Sequence, residues 1–183
     1  MGAKKAFSIG ILIISVLTTL PYTAYGQHEV LADSLNSTLL RAAREIITAA
    51  QVCTLITIDE SGAPRARAMD AFLPDEDFII WFGTNPQSRK VKQILLDHRV
   101  TLYYFDKLTM SYVTILAKAE IITSSKEIDK YWHESWLKFY PDYPQGYLLV
   151  KTTPIWLEVI SESRGIIGDP LTWQPPKVLF NNR

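Results

Sequence analysis

The chain has 183 residues, 19 basic and 19 acidic side chains, no net charge at neutral pH and 48% hydrophobic residues. That length supports one domain with a real core and falls short of two comfortable ones. With no basic block, nucleic acid is not an expected partner, and the single cysteine, Cys53, excludes an internal disulfide or a cysteine-rich metal site. His28, His98 and His133 are scattered, without the spacing of a zinc site, so no metal is expected. Neither "GxSxG" nor a phosphate loop ending in "GK[ST]" occurs, which removes the usual support for hydrolase and nucleotidase activities.

In chain order, Lys4 and Lys5 precede the apolar run "AFSIGILIISVLTTL" and then "PYTAYGQ". Small Ala24 and Gly26 suit the positions before a signal-peptidase cut, so residues 1–26 read as a signal peptide and the mature chain starts at Gln27. The expected location is periplasmic or secreted. The run is shorter than the ~20 residues a spanning helix needs, so no stable membrane association is expected after cleavage, an uncleaved anchor being the alternative. Without the leader the chain carries about two acidic charges in excess. Residues 27–34 read as a short linker.

Leu35, Leu39, Leu40, Ala43, Ile46 and Ile47 recur at helical intervals, predicting a helix over 35–50 capped by Ser34 or Asn36. "VCTLITID" is a β-branched strand in which Cys53 reads as a buried small residue. "ESGAP" is a turn, "RARAMDAF" a second strand, "LPDED" a second turn and "FIIWFGT" a third strand, together a meander. Past a short helix, "RVTLYYFD" is a strand and "SYVTILAKAEIIT" a long one with Val113, Ile115, Ala117, Ala119 and Ile121 on one face. "SKEIDKYWHESWLKFY" reads as a helix capped by Ser124 or Ser125, "PIWLEVIS" as a strand, and residues 163–183 as a covering tail with little regular structure. The pattern implies a small antiparallel barrel with helices at its ends. In the third strand Ile79 and Trp81 face one way and Phe78, Ile80 and Phe82 the other, so both faces need cover. A second subunit is the expected cover, with the chain's own helices and tail as the alternative.

The stretch "GTNPQSRKVKQI" carries the main functional signal. Asn85 suits a helix N-cap and Pro86 the first helical position, which would put Ser88 in the first turn, where free amides and the helix dipole favour an anion. Arg89 and Lys90 add full charges. A hairpin turn centred near Asp75 would set Arg67 across from Gly83 and beside Thr84, its guanidinium fork suited to phosphate oxygens and the glycine leaving room. Met69 shares the face of Arg67, and Ala68 faces away.

"PRARAM" followed by "TNPQSRK" resembles the pyridoxamine 5'-phosphate oxidase family, the FMN-binding split barrels, in particular its smaller bacterial general stress protein relatives. The resemblance runs from about Leu35 to Ser161, giving a domain at 35–162. It implies a mainly β fold with flanking α, an α+β six-stranded antiparallel split β-barrel that forms a homodimer with the flavin between subunits. It further implies that Arg67, Ser88, Arg89 and Lys90 hold the flavin phosphate with Thr84 at the same site. On the same implication, the strand carrying Ala68 and Met69 would lie beside the ring. The chain ends in "SRGIIGDPLTWQPPKVLF" in place of the family's tryptophan and arginine-rich segment, so true pyridoxamine phosphate oxidation is not expected; Trp173 is the tail residue available to cover the ring.

The expected function is an FMN-dependent oxidoreductase with a small-molecule redox substrate, in which the cofactor carries the chemistry and no side chain is assigned as a catalytic acid or base. Asp70 is read as structural. Lys4 and Lys5 stand where a twin-arginine signal would need arginines, so flavin would be captured after export. A carrier for flavin, haem or another anionic ligand is the alternative, and an empty barrel a third. Haem would need an axial ligand, for which His133 is the candidate. Tyr131, Trp132, Trp136, Phe139 and Tyr140 read as packing. Tyr103 and Tyr104 belong either to a flavin groove or to the barrel wall.

Overall fold

A computed structural model describes residues 22–180, with side-chain surroundings from residue 33 onward. Residues 1–21 of the expected leader lie outside the described residues. Among the described residues no helix is long and apolar enough to cross a membrane.

Helix α1 (Tyr22–Ala50) buries Leu39, Ala43, Ile46 and Ile47 of the predicted stripe together with Ala42, whereas Leu40 is partly buried and Leu35 is exposed. It starts earlier than expected and takes in the stretch 27–34, so Ser34 and Asn36 lie inside it and cap nothing. The Ser34 carbonyl instead accepts the hydroxyls of Ser37 at 2.8 Å and Thr38 at 3.0 Å, a back-bonding pattern that a helix interior tolerates.

Seven strands follow: β1 (Val52–Ile58), β2 (Pro64–Asp70), β3 (Ile80–Thr84), β4 (Arg99–Asp106), β5 (Ser111–Ile122), β6 (Leu148–Ile160) and β7 (Lys177–Leu179). Two more helices, α2 (Arg89–Leu96) and α3 (Ser125–Lys130), complete the set. The strands run antiparallel in the order β2-β1-β4-β5-β6-β3, with β7 added beside β6. This is a mainly antiparallel sheet with flanking helices, as the sequence implies. The meander does not form, because β3 takes β6 as its partner and leaves β2 at the opposite end of the sheet. The two end strands still approach one another, since the Phe72 amide donates to the Trp81 carbonyl at 2.8 Å. Arg44 on α1 fixes the connection between them by donating to the carbonyls of Pro74, Asp75 and Glu76.

β5 buries Val113, Ile115, Ala117 and Ala119 on one face, as its alternation predicts. Cys53 is fully buried beside this core, and burial pushes its thiol up to about 12, so the reactive thiolate is absent at neutral pH. Tyr104 is also in the core, whereas Tyr103 is partly accessible and packs near Tyr112. The tail is more regular than expected. Lys177–Leu179 forms β7 against Trp156–Glu158, Val178 is buried, and Phe180 reaches Phe78 with ring centroids 5.8 Å apart.

The aromatic stretch after β5 departs most from its reading. α3 stops at Lys130, and beyond it the chain makes a 3-10 turn at Glu134–Trp136 and further turns up to β6. A continuous helix would spread the aromatic side chains around its circumference; the irregular path instead turns them onto one surface, the outer face of β3. There Tyr131 stacks on Trp81 at 4.7 Å, and Trp132, Trp136, Tyr140, Tyr143 and Tyr147 pack around them. The outer face of β3 is thus covered within one chain, which removes that strand as a reason for a second subunit.

Gly83 is part of this contact. A Cβ placed there would meet Cε2 of the Tyr147 ring at 2.3 Å, so the backbone of β3 passes directly under that ring. Gly83→Ala is expected to lose ~1–3 kcal/mol of stability through overpacking. Adding Tyr147→Leu should recover part of that loss, read by urea denaturation of the single and double variants.

Candidate functional site

A tight turn aims the first site residue. Asp59 Oδ1 accepts the amides of Ser61 at 2.9 Å and Ala63 at 3.0 Å, while Gly62 supplies a φ of 81°. This turn sets the β1–β2 ladder, in which Arg67 lies opposite Leu55. Opposed residues share a face, so Arg67 leaves β2 on the side of Leu55 and Thr57. Its guanidinium is half-buried there. One Nη donates to Thr57 Oγ1 at 2.7 Å and the other to Gln93 Oε1 at 2.9 Å. Thr57 Oγ1 donates in turn to Gln93 Oε1 at 2.6 Å, closing a three-residue network in which Thr57 and Gln93 are buried.

α2 supplies the rest. Lys90 Nζ donates to the buried Thr84 Oγ1 at 2.8 Å, and Ser88 Oγ lies 3.3 Å from the same oxygen. Arg89 is more exposed but close enough that its charge, after burial, lowers the proton affinity of Arg67. The Lys90 ammonium is lowered by burial first and by the Arg67 charge second. Every hydrogen-bond partner of Arg67 and Lys90 among the described residues is a neutral oxygen. The described ion pairs are Arg65–Asp59, Arg99–Asp97, Arg164–Glu45 and Lys177–Glu158, and none touches the cluster. The cations are therefore held in place without being neutralised.

Two geometric expectations are corrected. Ser88 is the N-cap of α2, and the helix begins at Arg89. Asn85 makes a turn of its own, its Oδ1 accepting the Gln87 amide at 2.7 Å and its carbonyl the Ser88 amide at 3.0 Å, so its side chain serves a turn before the helix begins. The helix end with its free amides thereby falls at Arg89 and Lys90, beside the side-chain cluster. Gly83 pairs with Leu149, not with Arg67, and the space above it belongs to Tyr147. Arg67 joins the cluster through α2, a long-range contact that a hairpin register does not describe.

A cavity of about 260 Å³ lies at the seam between the end strands, lined by Ala68 and Gly83, the sequence neighbours of Arg67 and Thr84, and by none of the cluster residues themselves. Ala68, Met69 and Asp70 of β2 line one side and Gly83 of β3 another, with Trp136, Phe139 and Tyr140 forming an aromatic wall. Arg67, Thr84, Ser88 and Lys90 thus come together and Arg89 flanks them, while Ala68 and Met69 border the separate cavity. Trp173 does not line this cavity; it is 83% exposed in a loop of the same chain. His133 is exposed beside Phe72 and Trp136. Among the described residues no group of three His, Cys, Asp or Glu side chains could hold a metal ion.

Thr57 and Gln93 escaped the sequence reading, although signals for both exist. The "ESGAP" turn alone puts Thr57 on the face of Arg67, and Gln93 is a polar residue three positions after Lys90 on the same helix.

The sequence profile of the pyridoxamine 5'-phosphate oxidase family matches residues 39–160, an interval holding both the cation cluster and the cavity. The chain belongs to the pyridoxamine 5'-phosphate oxidase family. No curated protein sequence matches it. Among solved structures, General Stress Protein 26 from Bacillus anthracis str. Sterne is similar at 24% identity and a TM-score of 0.58, covering 79% of this chain and 98% of its own. A Clostridium acetobutylicum protein related to general stress protein 26 aligns at 17% identity and a TM-score of 0.64, covering 80% of this chain and 96% of its own. A heme binding protein from Mycobacterium smegmatis shares the fold at 18% identity and a TM-score of 0.52, over 64% of this chain and 52% of that one.

In this member of the pyridoxamine 5'-phosphate oxidase family the folded chain binds the Lys90 proton less firmly than the unfolded chain, because the folded value lies below the ordinary 10.5. A charged Lys90 therefore costs stability at neutral pH, and that loss is recovered as pH rises from the lowered value towards 10.5. Lys90→Gln is expected to abolish this rise in ligand-free protein, read as the difference between urea denaturation curves of the two proteins from about pH 7.5 to about pH 10.

Proposed function

We propose that the chain is an FMN-binding split-barrel oxidoreductase acting on a small-molecule redox substrate, exported by its leader and working as a homodimer. The half-buried Arg67 and Lys90, oriented by neutral oxygens and matched by no carboxylate, carry this reading. A phosphate monoester answers that arrangement well. It brings close to two negative charges, accepts both arms of a guanidinium, and takes further hydrogen bonds from hydroxyls such as those of Thr84 and Ser88. The amides at the start of α2 add donors to the same anion. The cavity at the seam of β2 and β3, lined by the residues that follow Arg67 and precede Thr84 in sequence, offers the ring of the nucleotide an apolar recess.

FMN, when bound, supplies redox chemistry at its ring. The chain's own residues anchor the phosphate, orient the ring along β2 and exclude water with the aromatic wall; no acid or base is assigned among them. The chain's tail differs from that of true pyridoxamine phosphate oxidases, so vitamin B6 is not the substrate proposed. Support for a homodimer comes from β2, an end strand of the sheet with most of its residues exposed, the kind of edge that proteins cover. A haem carrier has weaker support, since the haem-binding neighbour shares the fold alone and His133 is an exposed residue of the aromatic cap.

Titration with flavin fluorescence is expected to show FMN binding in the micromolar range or tighter, with Arg67→Ala or Lys90→Ala weakening it by ~1.5–3 kcal/mol as a charged hydrogen bond is lost. Affinity should rise as pH increases through about 6, where the phosphate takes its second charge. Equal affinity for riboflavin and FMN would remove the phosphate site. Binding without turnover of reduced nicotinamide or quinone partners would make the chain a carrier.

Sedimentation velocity of the mature protein is expected to give a dimer at micromolar concentration. A monomer at every concentration tested would refute the assembly and leave the phosphate site standing.

A further inference from the structure

A second cavity, of about 510 Å³, opens between α3, the end of the aromatic stretch and the turn that precedes α2. It shares no lining residue with the cavity at the β2–β3 seam, and its volume falls in the range of small-molecule sites, ~300–1,000 Å³. Pro86, Ile128, Pro144, Tyr147 and Leu148 give it an apolar surface. Ile128, Tyr147 and Leu148 are themselves buried in the two cores, so that surface is firmly held. Thr123, Ser125 and Gln145, all exposed, form a polar rim.

Asp129 is the one charged residue on this lining, and no lysine, arginine or histidine lines it among the described residues. Its Oδ1 accepts the Tyr143 hydroxyl at 2.7 Å. That bond, followed by burial, pushes the phenol up to about 12, so Tyr143 stays a donor at neutral pH. Trp132 stacks on the Tyr143 ring with centroids 3.7 Å apart, and the carboxylate is thus oriented by a side chain that is itself packed. Oδ2 enters none of the described hydrogen bonds or ion pairs. Lys126, one turn earlier on α3, does not pair with it.

A carboxylate with one oxygen engaged and the other open, beside an apolar surface and without a cation, favours one kind of ligand. An anion meets repulsion that nothing on the lining offsets. A neutral ring buries its body and leaves Oδ2 to water. An organic ammonium buries its body and also donates to Oδ2, and the faces of Tyr143 and Tyr147 attract the same sign of charge. Asp129 is exposed, so water and salt limit the gain.

We infer that this cavity is a second small-molecule site that takes an organic amine, its ammonium on Asp129 Oδ2 and its apolar body against Pro86, Ile128, Pro144, Tyr147 and Leu148. None of Arg67, Thr84, Ser88 and Lys90 lines it, so the site stands apart from the flavin reading.

Three probes of nearly one size separate charge from apolar contact: tyramine, a cation; 4-ethylphenol, neutral; and 4-hydroxyphenylacetate, an anion. They are titrated calorimetrically into the mature protein without FMN. Tyramine is expected to bind about fivefold more tightly than 4-ethylphenol, and the anion most weakly. Asp129→Asn, which keeps an acceptor for Tyr143, should erase the preference for the cation, and raised salt should shrink it. Gln145→Trp, or Ser125→Trp at the other side of the rim, fills the opening and should weaken cation and neutral ring alike. Urea denaturation identifies which blocking variant keeps the native fold. Absence of saturable tyramine binding, an unchanged preference in Asp129→Asn, or tyramine binding unaffected by the folded blocking variant would overturn the inference.

Discussion

The guanidinium of Arg67 is tied on one side to a strand and on the other to a helix, and in both directions the partner is an uncharged oxygen. That choice of acceptor governs the site. A carboxylate in place of Gln93 would hold the arginine equally well and would cancel its charge; Thr57 and Gln93 give it orientation alone. Lys90 repeats the arrangement with Thr84. Folding places these cations near one another and partly out of water, at an energetic cost that an anionic ligand relieves.

The same contacts tie the site to the architecture. Gln93 comes from α2, whose Val91 and Ile94 are buried in the main core, so the helix bearing Lys90 cannot move without disturbing that core. Thr57 belongs to β1, at the centre of the ladders to β2 and β4. The cation cluster is thus supported by rigid elements, the condition under which electrostatic complementarity is most effective.

A second surface, built from aromatic rings, closes the outer face of β3. Residues 131–147 abandon helical periodicity to cover the outer face of β3, and in doing so they bring Trp136, Phe139 and Tyr140 to the cavity. Tyr147 seals against Gly83, where only a hydrogen fits. The cap therefore finishes a hydrophobic surface and supplies one wall of the cavity.

Local patterns determined much by themselves: the apolar stripe of α1, the alternation of β5, the bounds of β4 and the tight turn at Gly62, because each depends on neighbours close in sequence or on a fixed period. Tertiary structure alone decided that β3 pairs with β6, that Ser88 takes the N-cap position of α2, that the aromatic stretch leaves the helix, and that Gly83 serves Tyr147. Those outcomes turn on which distant surface offers the larger burial or the unpaired edge, and a competition of that kind leaves no mark within the segment itself. The cation cluster stands between the two. Its residue types were legible in sequence, but the neutral oxygens that keep it charged come from positions 26 and 10 residues away from Arg67 and meet it only in the folded chain.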